Sequence, residues 1–262
     1  MLTLRHTSDS IPEIGLDEAG RGCFWGPIMA GAVIWPPRES WTAEHEAISP
    51  QIRDSKRIAP KKRAKLAEDI KRLASSWAVG SVSNKEIDEQ GIVWSNQEAF
   101  RRAIKDLKPF KSPEESNNSN NSNNSNNSNN SNNSNNSRLL IDGEWLIPDW
   151  LGEQHAIVEG DNTYLCIGAA SILAKVEHDH WIQDWCDKNE ACNALYDLRG
   201  SKGYGTDKHR AGLVANGAHE LHRRTFVRNY VPVGQALQKP NVVIKGHKNK
   251  MKKEDDKCLI RL

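Results

Sequence analysis

Ile14-Gly-Leu-Asp17-Glu18-Ala-Gly20-Arg21-Gly22 ends a short apolar run in two adjacent carboxylates, directly before a glycine-bounded turn. Glu13 to Leu16 reads as a strand. Neighbours on a regular strand face opposite sides, so Asp17 and Glu18 reach one site only if the strand ends or bulges at Glu18. Ala19-Gly20 permits that. The Gly20-Arg21-Gly22 turn offers backbone N–H groups and a guanidinium to an anion. A second segment, Ser171-Ile-Leu-Ala-Lys175-Val-Glu-His-Asp179, places Ser171, Lys175 and Asp179 at i, i+4 and i+8, on one stripe of a helix. Carboxylates gathered in this way need cations to hold them. Together the two segments point to a metal-dependent enzyme acting on phosphodiesters.

Working outward, Ile28-Met-Ala-Gly-Ala-Val-Ile34-Trp35 is a buried apolar strand closed by Pro36-Pro37. Asp54-Ser-Lys56-Arg57 is a polar loop. Pro60 opens a helix in which Leu66, Ile70, Leu73 and Trp77 recur at helical spacing. Trp77 to Val82 is a third strand. Asn84 to Leu107 is helical in pattern and interrupted near Gly91. Arg138-Leu-Leu-Ile-Asp142-Gly143 is a short strand with a carboxylate at its end, and Ala156 to Glu159 is another. Asp161 or Asn162 can cap a long helix running through Trp181. Ser201 to Thr206 is a glycine-rich loop, and Asp207 to Asn216 is a helix ended by Gly217. This order predicts an α/β domain with a mixed sheet and helices against its faces.

Residues 116–137 are Ser-Asn-Asn repeats ending in Ser137, without an apolar residue. Such a tract cannot offset the entropy of ordering, so it is expected to be disordered. The expected organisation is one catalytic domain over 1–234, interrupted at 116–137, with a flexible basic tail over 235–262.

The net charge of +2 gives no global basic signature. The basic residues cluster instead, at Arg53–Lys65, Lys202–Arg228 and Lys245–Lys257, which fits local polyanion contacts. Five cysteines with no C-x-x-C pair argue against a disulfide framework or a thiolate zinc site, and fit a reducing cytoplasm. No apolar run approaches the ~20 residues of a membrane span, and no secretory signal is visible. Most of the nine tryptophans are expected in or against the core.

Mg²⁺ prefers octahedral oxygen ligation, using a few carboxylates with waters and substrate phosphate. Two such ions roughly 3.5–4 Å apart can clamp both the attacking and the leaving oxygen of a phosphodiester. Asp17, Glu18, Asp142 and Asp179 are the candidate ligands.

At these residues the chain resembles ribonuclease HII, the type 2 ribonuclease H family. The matching stretches are G-L-D-E-A-G-R-G (15–22), G-P-I-M-A-G-A-V-I (26–34), D-S-K-R-I (54–58), L-L-I-D-G (139–143), G-D-N-T-Y-L-C-I-G-A-A-S-I-L-A-K-V-E-H-D (160–179), K-G-Y-G-T-D-K-H (202–209) and H-R-R-T-F (222–226). The resemblance implies a ribonuclease H-like fold, a mixed five-stranded sheet flanked by helices with a C-terminal helical region. It implies Mg²⁺- or Mn²⁺-dependent endonucleolytic hydrolysis of the RNA strand of RNA·DNA hybrids, and incision at ribonucleotides embedded in duplex DNA; the protein is expected to be monomeric. By the resemblance, the metal-binding carboxylates fall on Asp17, Glu18, Asp142 and Asp179. The ribose-sensing loop falls on Gly20, Arg21 and Gly22, and the sugar-packing tyrosine on Tyr204. Lys56, Ser171 and Lys175 match polar positions near the scissile strand. His178 and Trp181 depart from the family pattern around the last aspartate. Ribonuclease HIII carries an extra N-terminal domain, for which the 16 residues before Asp17 leave no room. A catalytically silent hybrid-binding protein and another ribonuclease H-like nuclease, such as a junction resolvase, are the alternatives. The four carboxylates argue against the first, and the Gly-Arg-Gly and Lys-Gly-Tyr-Gly-Thr segments against the second.

Overall fold

In a computed structural model, residues 1–108 and 137–231 are described. The repeat tract up to Asn136 and the basic tail lie outside the described residues. The strands are β1 (Glu13–Ala19), β2 (Ile28–Ile34), β3 (Ser76–Val82), β4 (Arg138–Asp142) and β5 (Gln154–Ile157). The first helices are α1 (Ala43–Ile48), α2 (Pro60–Leu73), α3 (Asn84–Gln90), α4 (Ile92–Lys105) and the long α5 (Leu165–Lys188). After them come α6 (Glu190–Tyr196), α7 (Leu198–Ser201), α8 (Asp207–Asn216) and α9 (Arg224–Val227).

The chain divides into two compact units. The first comprises Met1–Ala19, Met29–Ser81 and Asn96–Val176, and the second Gly20–Ile28, Val82–Ser95 and the residues from Glu177 onward. The first is built on a five-stranded sheet of order β3-β2-β1-β4-β5. The central strand β1 pairs antiparallel with β2 and parallel with β4, and β4 pairs parallel with β5, so the sheet is mixed as expected. Every residue of β2 is buried, which is why it reads as a continuous apolar run rather than an alternation. The N-terminal half of α5 packs on the sheet. Ile167, Leu173 and Val176 join Val33, Leu140, Leu66 and Ile70 in one core. Helix and sheet approach closely at two glycines. A Cβ on Gly15 would stand 2.2 Å from the Cys166 carbonyl carbon, and one on Gly31 would stand 2.3 Å from the Ala170 oxygen.

Several boundaries differ from expectation. Trp77, which continues the α2 spacing but also opens the expected third strand, lies on β3, while α2 ends at Leu73; its indole N–H donates to the Lys71 carbonyl at 2.8 Å. Its spacing mimics a helix turn because β3 returns over the same core. Gly160–Asn162 form a 3-10 turn, and α5 begins only at Leu165. Ser137, the last residue of the repeat tract, is buried at the entry to β4. Among the tryptophans, Trp25 and Trp35 are buried and Trp145 is exposed.

The second unit is helical. Trp25, Ile182, Tyr196, Leu198 and Leu213 form its core. Ser83 and Glu86 make a capping box at the start of α3, and Thr206 caps α8, which Gly217 (φ 77°) ends.

Candidate active site

In the first unit Asp17 lies on β1 opposite Gly31, and it is 6 % exposed. The strand does not end at Glu18 as the sequence suggested. It runs on through Ala19, with Glu18 paired to Ala30, and turns at Gly20 (φ +83°). Both residues thus stay on a paired strand, yet the Asp17 side chain folds back along it and the Glu18 charge still acts on the Asp17 carboxyl. The Asp17 carboxylate folds back to accept the Glu18 N–H at 2.6 Å. It is also hydrogen-bonded to Ser171 on α5, whose Oγ lies 3.0 Å from Ser55 Oγ. Ser171 is buried. It faces Asp17 rather than the surface, which makes it a support for the carboxylate.

The parallel pairing of β1 with β4 places Leu16 beside Ile141, so Asp142 follows in register beside Asp17. Asp142 Oδ1 accepts the Gly160 N–H at 2.8 Å and the Asp161 N–H at 3.4 Å. Asp161 was read from the sequence only as a possible helix cap. It is 9 % exposed and belongs to this acidic group. The Gly160-Asp161 pair after a strand end marks a turn in the sequence but does not by itself place Asp161 in the group.

The electrostatics of these acids have one theme. Burial, then the charges of Glu18 and Asp142, push the Asp17 carboxyl well above its usual range. Burial also raises Asp142, opposed by the two backbone N–H groups and by the Lys56 charge. Asp161 is pushed up to about 6 by burial, then by Asp142 and Asp54, again opposed by Lys56. Lys56 is exposed at the edge of this group, on a 3-10 turn capped by Asp54, which accepts the Lys56 N–H at 2.8 Å. Among the described residues no three His, Cys, Asp or Glu side chains already form a cage for an ion. The donor set nevertheless fits a hard divalent cation. All its atoms are carboxylate oxygens, and burial, joined at Asp17 and Asp161 by neighbouring negative charge, raises their pKa values, a cost that a bound cation relieves.

In the second unit Gly20, Arg21 and Gly22 form a turn in which the Cys23 N–H donates to the Gly20 carbonyl at 3.1 Å. A Cβ on Gly20 would stand 2.5 Å from the His178 ring. His178 is fully buried beneath that turn, and Trp181 packs against Gly26, so both departures from the family pattern are packing residues. Cys23 bridges to Tyr204, and the Phe24 N–H donates to the Gly203 carbonyl at 2.8 Å. Tyr204 is half-buried, with its ring 4.0 Å from a Cβ built on Gly22. Burial, then the Cys23 thiol, raises its phenol above the ordinary value, with Asp179 a smaller contributor. Tyr204, the Gly-Arg-Gly turn and Asp179 are thus gathered within this unit. Lys175 stands half-buried on α5, one turn before Asp179.

The family model described as Ribonuclease HII matches residues 14–230. The chain belongs to the ribonuclease HII family. Ribonuclease HII of Prochlorococcus marinus (strain SARG) is 36% identical over 213 residues, covering 81% of this chain and 94% of that protein. Ribonuclease HII of Nostoc sp. (strain PCC 7120) is 35% identical over 212 residues, 81% of this chain and 80% of its own length. The fold is that of the ribonuclease H2 crystal structure from Pyrococcus horikoshii OT3, at a TM-score of 0.60 and 22% identity, over 84% of this chain and 96% of that one. As a ribonuclease HII family member the chain is a metal-dependent endonuclease with ribonuclease H activity, which hydrolyses the RNA strand of RNA·DNA hybrids.

Proposed function

We propose that this enzyme also nicks duplex DNA at single embedded ribonucleotides, and that Asp17, Glu18, Asp142 and Asp179 are the ligands of two Mg²⁺ or Mn²⁺ ions. The observation that carries the ligand assignment is the crowding of carboxylates around Asp17, which burial and then the charges of Glu18, Asp142 and Asp161 push well above its usual range. Ions bound there would supply Lewis acidity to the scissile phosphodiester and an activated water. The chain's own residues hold and orient. Ser171 fixes Asp17, and the Gly160 N–H fixes Asp142, so both carboxylates are presented without rotamer search. Lys56 offers a charge to a substrate phosphate beside the acids.

Only the 2′-hydroxyl distinguishes a ribonucleotide from its neighbours. The exposed Gly22 backbone can approach that hydroxyl closely, and the Tyr204 ring beside it favours a deoxyribose at the next position. The enzyme acts as a monomer in the cytoplasm. Cys23, Cys166 and Cys186 are buried free thiols, whereas Cys192 is disulfide-bonded, against the expectation that no cysteine is paired. Among the described residues no helix is long and apolar enough to cross a membrane. The test is to incubate the protein and Mg²⁺ with a DNA duplex carrying one ribonucleotide and to map the cut. A single nick beside the ribonucleotide is expected, and an intact duplex under conditions that degrade a hybrid would refute the reading.

A further inference from the structure

Arg223 is the most deeply buried cation in the second unit, at 0 % exposure, and among the described residues no carboxylate forms an ion pair with it. Its guanidinium is spent on backbone carbonyls. Nε donates to the Gly26 oxygen at 3.0 Å, Nη1 to the Arg21 oxygen at 2.9 Å and Nη2 to the Pro27 oxygen at 2.9 Å. Its own N–H donates to the Phe24 carbonyl at 2.8 Å. One side chain therefore grips both ends of the segment that carries the Gly-Arg-Gly turn. Burying a guanidinium without a counter-charge is costly, and here burial lowers its pKa to about 10. A lysine could not span the same three acceptors, because it is a point charge rather than a planar fork.

The Arg21 carbonyl and the Gly22 N–H belong to one peptide plane. In a trans peptide those two groups point in opposite directions, and no peptide bond among the described residues is cis. With Arg223 holding the carbonyl from the interior, the Gly22 N–H is turned away from it, at a residue that is exposed. We propose that Arg223 is a positioning residue for ribose selection: by gripping the Arg21, Gly26 and Pro27 carbonyls it fixes the plane of the Arg21–Gly22 peptide and so aims the Gly22 N–H at the ribose 2′-hydroxyl. This rests on the reading that the Gly20–Gly22 turn senses the ribose.

The experiment measures equilibrium binding, by fluorescence anisotropy without added metal, to two duplexes that differ only in one ribonucleotide. Wild type, Arg223→Lys and Gly22→Pro are compared, each checked for fold by circular dichroism. Gly22→Pro deletes the proposed donor itself. Arg223→Lys should lower the preference for the ribonucleotide duplex at least fivefold, with affinity for the all-DNA duplex held within twofold. A merely structural role would weaken both duplexes alike, and that result would overturn the proposal. If Gly22→Pro keeps the full preference, the ribose-sensing reading of the turn fails. If Gly22→Pro loses it while Arg223→Lys keeps it, the turn senses ribose but Arg223 does not aim it. Should Arg223→Lys not fold, Arg223→Ala with millimolar guanidinium in the vacated space carries the test, and preference restored by the ion is then the supporting outcome. Preference left unrestored in that folded variant overturns the proposal.

Discussion

Replacing Gly31 by alanine tests how the sheet presents Asp17. Gly31 pairs with Asp17 across β1 and β2, and a Cβ there would stand 2.3 Å from the Ala170 oxygen and 3.0 Å from its carbonyl carbon. A carbon–oxygen contact relaxes at about 3.3 Å, so α5 and β2 must part by about 1 Å. Both sides are backbone, and Gly15 on the neighbouring strand meets the same helix at Cys166, so tilting does not relieve the clash. Overpacking of this kind costs about 3 kcal/mol, at the upper end of the usual range. At about 2–4 °C per kcal/mol for a chain of this size, Tm should fall by about 6–12 °C. Ser171 follows Ala170 directly, and a 1 Å displacement is enough to break a hydroxyl–carboxylate hydrogen bond. The nicking rate at 25 °C, where the variant remains folded, should then drop about tenfold, equivalent to about 1.4 kcal/mol of transition-state stabilisation. Urea midpoints and steady-state hybrid cleavage measure the two effects. A Gly31→Ala protein with wild-type midpoint and wild-type rate would refute both the close approach and the dependence of Asp17 on Ser171.

Four further outcomes are expected. Asp142→Asn should abolish turnover while leaving hybrid binding measurable, because an amide still accepts the Gly160 N–H but cannot supply the charge; without metal its urea midpoint should equal or exceed wild type, since burial disfavours the ionised carboxylate. Tyr204→Ala should harm cleavage at a lone ribonucleotide more than within a long hybrid, and equal losses on both substrates would make the ring structural. Lys56→Gln should flatten the log–log salt dependence of binding by about one unit, whereas an unchanged slope would leave Lys56 without a phosphate contact. His209 is fully buried against Tyr204, Ser201, Tyr196 and His222, and burial holds its pKa at about 4. The unfolded chain binds that proton near pH 6.5, so stability should be complete above about 6.5 and fall, by on the order of 2–3 kcal/mol, as pH drops towards 4. Urea midpoints of wild type and His209→Gln across that range check this, and parallel curves would contradict it.

Asp17 and Asp142 were legible in the sequence because each ends an apolar run, a local signal that the sheet only brings side by side. Asp161 was not, since a Gly-Asp pair after a strand looks the same whether it caps a helix or joins a buried acidic group. Charge patterning misled most. Arg63 and Arg223 sit in two of the basic clusters, yet both are buried, and Arg63 donates to the Ser55 and Ile58 carbonyls much as Arg223 does to Arg21, Gly26 and Pro27. Sequence alone cannot separate an arginine that meets phosphate from one that holds a loop, because both need the same fork. Trp77 fits two patterns at once: it continues the helical spacing of α2 and it opens the Trp77–Val82 strand run, and the structure places it on β3.

The two neighbours of β1 are reached by very different lengths of chain. β2 folds back after a short turn, whereas the parallel contact of Leu16 with Ile141 joins residues more than a hundred positions apart. Contacts of such separation form late, because closing the intervening chain must precede any gain from them. During refolding Asp17 should therefore be seated against Gly31 well before Asp142 arrives beside it. Until then one edge of the central strand is open and apolar, the condition in which chains aggregate with one another. Catalytic competence should accordingly lag behind the recovery of helical signal, and dilution should raise the yield of active enzyme on refolding without changing the rate at which helices return.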